Sequence, residues 1–423
     1  MFVTKYFAMV ASLLVLFIVL LLLIAHAYFD LYVLITKYVL NKMKHGHLTI
    51  YSKNGTVLLD IYRTNDQRGK LYTSDFNDLC KQLVKNGEIG IGELYMQGKL
   101  TSPDMLGAIT TLLVNDKELQ SKKITYSGSN DKSNIKHSYD IGNDFYMSFL
   151  KDDLRAYTCG FFLCDTNTLN EAQYNKIDTI IRKLEILPNE RILDVGCGWG
   201  SLANYVGKKT NSVVDCLTIS DEQQKFINTT HPNIKVFNKS YADMGSEFHG
   251  LYDKIYSIEM FEHVRCVNYD KFFNKMSKIL THNGRFLLQT ITYQGKDHVN
   301  SSFKHQNKSF LSEYIFPGGQ IPTHEWIIDA ASKYFKIVHI EVYPGQHYSR
   351  TLEHWRTNML ENAENLKKAG YNDELIKMYE FYFIECEALF SQGKINITHF
   401  LFENGSIIKG GGKNIKNNFM CNK

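Results

Sequence analysis

The stretch Arg191-Ile192-Leu193-Asp194-Val195-Gly196-Cys197-Gly198-Trp199-Gly200-Ser201-Leu202-Ala203 decides the fold. Ile192, Leu193 and Val195 around Asp194 have the pattern of a short strand buried on both faces. Glycines at alternate positions then turn the backbone, and Ser201-Leu202-Ala203 opens a helix. A strand, a glycine turn and a helix N-terminus together present backbone N–H groups to a polar ligand. The spacing is Asp-x-Gly-x-Gly-x-Gly, not Gly-x-Gly-x-x-Gly, which disfavours a nicotinamide dehydrogenase.

Outward from this stretch, strand and helix patterns alternate. Ser212–Ile219, Ile234–Phe237, Tyr252–Ile258, Arg285–Ile291 and Ile337–Val342 read as strands. A helix containing Glu171–Leu184 leads into the opening strand, and Asp221–Asn228 and Tyr269–Ile279 read as helices. This alternation predicts an α/β fold with an open, mostly parallel sheet. Such sheets bind ligands beyond the carboxyl ends of their strands. Asp194, Thr218, Ile258-Glu259 and Gln289 fall near those ends and are expected to converge on one crevice. Leu352–Ala369 and Asp373–Phe390 read as long amphipathic helices, and Ile395–Phe402 as a final strand.

Before this region, residues 47–125 read as a small α+β domain. Leu48–Leu59 alternates around Asn54-Gly55 as a hairpin, and Asp75–Val84 and Asp104–Leu113 read as helices. Polar residues from Tyr126 to Lys136 mark the boundary to a larger domain, 126–408, and 409–423 form a Gly-rich basic tail. Residues 1–46 hold the apolar run Phe7–Phe29, which is long enough to span a bilayer. Lys37, Lys42 and Lys44 follow it, so a single-pass anchor would leave the bulk of the chain cytosolic. A cleaved signal peptide ending at Ala25-His26-Ala27 is the rival reading.

Length and composition set the remaining bounds. The chain has 423 residues, 44% hydrophobic and 13% aromatic, enough for two or three cores and for a ring-lined apolar pocket. A net charge of +4 does not call for nucleic acid. Eight cysteines without a CxxC pair or zinc spacing read as free thiols, and no metal site is expected.

The glycine turn resembles the S-adenosylmethionine (SAM) loop of Rossmann-like methyltransferases. From about Asn86 to Gly405 the chain resembles the cyclopropane-fatty-acyl-phospholipid synthase family of SAM-dependent lipid methyltransferases. The resemblance is carried by GEIGIGELYMQG (87–98), HSYDIGNDFY (137–146), YTCGFF (157–162), LDVGCGWGSLA (193–203) and LTISDEQ (217–223). It continues in YDKIYSIEMFEHV (252–264), NYDKFF (268–273), LLQTIT (287–292), YIFPGG (314–319) and HYSRTLEHW (347–355). It implies a class I methyltransferase sheet with helical lid insertions, acting on a membrane phospholipid, with SAM as co-substrate. A homodimer is compatible with the sequence.

The resemblance also implies roles. Gly196, Gly198 and Gly200, with Asp194, Cys197 and Trp199 in the same loop, would hold SAM. Thr218, Ile219 and Gln223 would surround the adenosine, with Ala242 and Asp243 beside the adenine. Tyr139, Tyr157 and Thr158 would close over it. Glu262 would help hold a bicarbonate ion that serves as base, Tyr348 would orient that ion, and Cys159 and Ile291 would complete its site. Gln289 stands where well-known bacterial members carry His, and an amide cannot shuttle a proton. Cys386 matches a cysteine once proposed as catalytic, although a thiol inside a long helix is more often core. His263 reads as a structural hydrogen-bonder.

The chemistry explains this choice of groups. An alkene is a weak nucleophile and must meet the SAM methyl group in a dry, ordered site. Transfer leaves a carbocation, which carboxylates and π-faces stabilise and water would trap. Ring closure then requires a base. Alternatives are methyl branching of another lipid chain or a sphingoid base, N-methylation of a small amine, or an inactive lipid-binding module.

Overall fold

The computed structural model describes residues 31–119, 125–126, 141–293, 306–307 and 309–405. The apolar run Phe7–Phe29, Tyr139 and the tail 409–423 lie outside the described residues. Among the described residues no helix is long and apolar enough to cross a membrane. The chain forms two compact units, Met1–Lys123 and Ile124–Lys423.

In the first unit, β1 (His47–Ser52) and β2 (Val57–Tyr62) form the antiparallel hairpin expected around Asn54-Gly55. Helices α1 (Phe76–Asn86) and α3 (Met105–Leu113) start where capping chemistry demands: Asp75 accepts from the N–H groups of Asn77 and Asp78, and Asp104 from that of Gly107. Two further strands escape the sequence pattern. β3 (Arg68–Thr73) runs parallel to β1, and β4 (Leu100–Thr101) pairs with β3. The glycine-rich segment becomes α2 (Glu88–Met96), despite glycine's poor helix propensity. Packing supplies the reason: a Cβ on Gly90 would stand 2.8 Å from the Gln82 carbonyl oxygen of α1. Residues 31–40 are helical, and the Thr36 hydroxyl donates to the Cys80 carbonyl of α1.

The second unit is built on a seven-stranded sheet. Its strands are β5 (Arg191–Val195), β6 (Val213–Thr218), β7 (Lys235–Asn238), β8 (Tyr252–Ile258), β9 (Leu280–Tyr293), β10 (Lys336–Tyr343) and β11 (Ile395–Glu403). Their spatial order is β10-β11-β9-β8-β5-β6-β7. All are parallel except β11, which runs antiparallel to both neighbours. The strand order reverses between β5 and β8, and that switch point opens a crevice at their carboxyl ends.

Two cores cover the sheet. On one side α8 (Tyr269–Ile279) and α9 (His324–Ala331) bury Phe272, Phe273, Met276 and Ile327 against Phe286, Phe400 and Phe402. On the other, α5 (Leu169–Leu184), α6 (Ser201–Thr210) and α7 (Asp221–Thr230) bury Ile177, Ile180, Ala203, Val206 and Ile227 against Ile192 and Cys216. A capping box between Thr168 and Glu171 sets the start of α5.

The late helices correct the sequence reading. α10 (Gln346–Glu361) begins six residues before Leu352, directly after Gly345, and breaks at Asn362, beyond which a separate short helix, Ala363–Lys368, runs up to Ala369. This places the His347–Trp355 segment on its first turns. α11 (Asp373–Ser391) lies where expected. Rings from α10 and α11 meet Tyr157 and the α4 (Asn143–Met147) segment: Tyr157 lies 5.1 Å from Trp355 and Phe145 lies 4.6 Å from Tyr379, centroid to centroid.

Candidate active site

The glycine turn forms one wall of a crevice of about 520 Å³. The Gly196 and Cys197 N–H groups donate to the Leu217 carbonyl at 2.9 and 3.1 Å, which ties the turn to β6. Gly196 has φ 85°, and a Cβ there would lie 2.5 Å from Met260 Cγ. Gly200 caps α6 without a side-chain hydrogen bond, so the first N–H groups of the helix remain for a ligand.

Nearly all residues predicted for SAM line this crevice. Asp194, Gly196, Cys197, Gly198, Trp199 and Gly200 form the turn side. Thr218, Ile219, Gln223 and Ala242 form the second side, and Tyr157 and Thr158 the third. Asp243 belongs to the same short turn as Ala242 but is not part of the wall. The Thr218 hydroxyl donates to Gln223 Oε1 at 2.7 Å and so orients the amide. Burial pushes the Asp194 carboxyl up to about 7, opposed by Tyr256 and the Lys176 charge.

The other half of the site consists of buried side chains. Glu262 turns back into the protein: its Oε1 accepts from the Ile291 N–H at 2.5 Å and from the Thr290 hydroxyl at 2.9 Å. Glu259, three residues earlier, stands on the crevice wall. Its backbone has φ 52°, an uncommon conformation for a side-chain-bearing residue, and its N–H donates to the Gln289 carbonyl. Its Oε1 accepts from the Cys159 N–H at 3.0 Å and from Gln289 Nε2 at 2.7 Å. Its Oε2 is buried without a hydrogen bond of ordinary geometry. The loop carrying Pro317-Gly318-Gly319 closes beneath, with the Gln320 N–H donating to the Glu262 carbonyl at 2.7 Å.

Electrostatics separate the two carboxyls. Burial and then the neighbouring Glu259 charge push Glu262 up to about 8, so it is mostly protonated at neutral pH. Burial also raises Glu259, but Tyr348, the buried Lys176 ammonium, Gln289 and the Cys159 N–H all favour its charged form. The Tyr348 phenol is pushed well above its ordinary range by burial and then by Glu259. Glu259 is therefore the member of the pair that gives up its proton first.

Gln289 is locked from behind. Ile258, Gln289, His399 and Glu341 share one row across β8, β9, β11 and β10. The Lys183 ammonium can only donate, so it fixes His399 Nδ1, 3.0 Å away, as acceptor. His399 Nε2–H then donates to Gln289 Oε1 at 2.8 Å, and Gln289 Nε2 to Glu259. Lys183 is held in turn by Glu341. The chain of donors has one direction, from an ammonium to a carboxylate, which polarises every bond in it. Burial holds His399 well below its usual range, consistent with a neutral ring.

The remaining candidates are less central. Burial pushes the thiols of Cys159 and Cys386 well above their ordinary range, so both stay protonated, and Cys159 acts through its backbone. Burial lowers His263 to about 4 and keeps it neutral. Sequence reasoning assigned no role to Lys176 or His399. Neither carries a local motif, since one lies inside an ordinary helix and the other in a buried strand. Glu259 was noted only as a strand-end residue. The signal available for it was a second carboxylate three positions before Glu262.

A bicarbonate ion does not fit these residues. The donors assigned to it by resemblance are taken: Cys159 N–H and Gln289 Nε2 serve Glu259, and Ile291 N–H serves Glu262.

The family described as mycolic acid cyclopropane synthetase matches residues 126–400. Cyclopropane-fatty-acyl-phospholipid synthase of Escherichia coli (strain K12) is 30% identical over 354 residues, which cover 78% of this chain and 86% of the relative. A cyclopropane synthase structure from Mycobacterium tuberculosis is 28% identical, with a TM-score of 0.59, covering 65% of this chain and 99% of the other. A mycolic acid cyclopropane synthase solved with SAH and CTAB has the same TM-score of 0.59, identity of 28% and coverages of 65% and 99%. With the glycine turn, the switch-point crevice and the motif order already in place, the chain belongs to the mycolic acid cyclopropane synthetase family.

Proposed function

We propose that this protein transfers the methyl carbon of SAM to the cis double bond of an unsaturated phospholipid acyl chain and closes a cyclopropane ring. It is a SAM-dependent methyltransferase of the cyclopropane-synthase type, acting on a lipid acyl chain. The observation that carries the finer reading is a buried carboxyl pair, Glu259 and Glu262, set against a SAM-type crevice next to a ring cluster. The turn at Gly196–Gly200 would hold the sulfonium co-substrate. Tyr157, on the crevice wall, offers a π-face to a developing carbocation. The Tyr157, Trp355 and Tyr382 rings keep water from trapping it.

The apolar run Phe7–Phe29 would tether the catalytic unit to the cytosolic face of the membrane that holds its substrate. Resistance of the full chain to alkaline extraction from membranes checks this; a mature N-terminus near Tyr28 would refute it.

The test of activity is labelled SAM with vesicles of a monounsaturated phospholipid, followed by mass spectrometry of the released fatty acids. A gain of one CH₂ with cyclopropane fragmentation is expected. Label confined to sphingoid bases or amines would overturn the assignment.

A further inference from the structure

We propose that Glu259 is itself the base of ring closure and occupies the seat that a bicarbonate ion would need. The proposal rests on the cyclopropane reading above. Two donors that would hold a small carboxylate-like anion, the Cys159 N–H and the Gln289 amide, converge on Glu259 Oε1, and the Tyr348 phenol stands close enough to favour the charged carboxylate. The seat is thus filled by a carboxylate that the chain supplies covalently.

The placement suits the step. Methyl transfer breaks the S–CH₃ bond of SAM and forms a C–C bond with the alkene electron pair, leaving positive charge on the adjacent carbon. Glu259 then takes one proton from the transferred methyl group. The released C–H pair forms the second C–C bond, which closes the ring, and the carboxylate becomes a carboxylic acid. Of the two glutamates, Glu259 lines the crevice, and its buried Oε2 has no ordinary hydrogen bond to give up. Glu262 uses its Oε1 to hold the Ile291 backbone. Gln289 cannot shuttle a proton, but it aims Glu259, and His399 and Lys183 fix the direction of its amide. His399 and Lys183 are therefore positioning residues for the base. The proton returns to water when the products leave the crevice.

The experiment compares the intact chain with Glu259→Gln and Glu259→Gly, each with and without bicarbonate in carbon-dioxide-depleted buffer. Glycine suits the φ of 52° at this position, so the second variant removes the carboxyl without backbone strain. Wild-type turnover is expected to ignore bicarbonate. Glu259→Gln should lose about a hundredfold to ten-thousandfold in kcat with SAM binding retained. Glu259→Gly should regain activity when bicarbonate is added, because the ion can then enter the vacated seat. Wild-type turnover that collapses on depletion and returns with bicarbonate would overturn the proposal, as would near-normal turnover of Glu259→Gln. A separate readout needs no turnover: by NMR, isotope-labelled bicarbonate should bind Glu259→Gly and not the wild type. Binding to the wild type at this site overturns the proposal. If wild-type protein labels no lipid at all, the cyclopropane reading fails, and this binding comparison still decides who holds the seat.

Discussion

The two walls of the crevice are made in different ways. The wall from Asp194 to Gly200 consists largely of backbone: glycines with positive φ, N–H groups tied to Leu217, and an uncapped helix end. The wall around Glu259 consists of side chains from five separated segments, Cys159, Glu259, Gln289, Tyr348 and His399, which sheet register and helix packing bring together. A backbone site tolerates any side chain that leaves the turn intact. A side-chain site depends on each donor and acceptor, because an unpaired buried group costs about 1–3 kcal/mol.

The largest expected effect lies on the side-chain wall. Glu262→Ala leaves the Ile291 N–H and the Thr290 hydroxyl without their acceptor and disturbs the neighbouring base. We expect a kcat loss of about a hundredfold or more, with SAM affinity largely intact. Near-normal turnover would mean that the carboxyl pair does not act as a unit. The next effect belongs to the backbone wall. Gly196→Ala meets both an unfavourable φ and Met260, a strain of about 1–3 kcal/mol. SAM binding, measured by calorimetry, should weaken by about tenfold to a hundredfold. A smaller change in SAM binding than in kcat would blur the division between the walls.

His399→Ala tests the row behind Gln289. The freed amide can flip and present its oxygen to Glu259, so kcat should fall by about tenfold while the KM for SAM stays unchanged. Equal changes in both would point to general loosening of the fold.

The smallest effect is on stability. The Glu262 carboxyl has a raised folded pKa, about 8 against an ordinary 4.5. The folded state therefore holds a proton that the unfolded state releases. Its contribution to stability is complete below about 4.5 and is lost as pH rises through about 8. Denaturant unfolding of Glu262→Gln, which cannot titrate, should show a flatter decline over this window than wild type. Parallel slopes would place the proton elsewhere in the pair.

The same contrast explains what could be read from the residues alone. The strands from Val213 to Tyr343 and the turn at Asp194 were legible because hydrophobic runs and alternate glycines are local signals. The start of α10 at Gln346 was not, since Pro344-Gly345 and the close approach of Gly345 to the Phe390 carbonyl of α11 decide it over the apolar pattern. Helix α2 was hidden by glycines that serve close packing against α1. Glu262 drew attention through its motif, and Glu259 did not, although only Glu259 stands on the crevice wall.

Local patterning in the sequence was sufficient to determine the alternating α/β chain, the SAM-type turn and the family, since each depends on residues close together or on motifs in order. Tertiary structure alone decided which glutamate lines the crevice, which gives up its proton first and what aims it. Those properties arise from one row of residues across four strands, with members from 258 to 399, and from burial that no local window of sequence records.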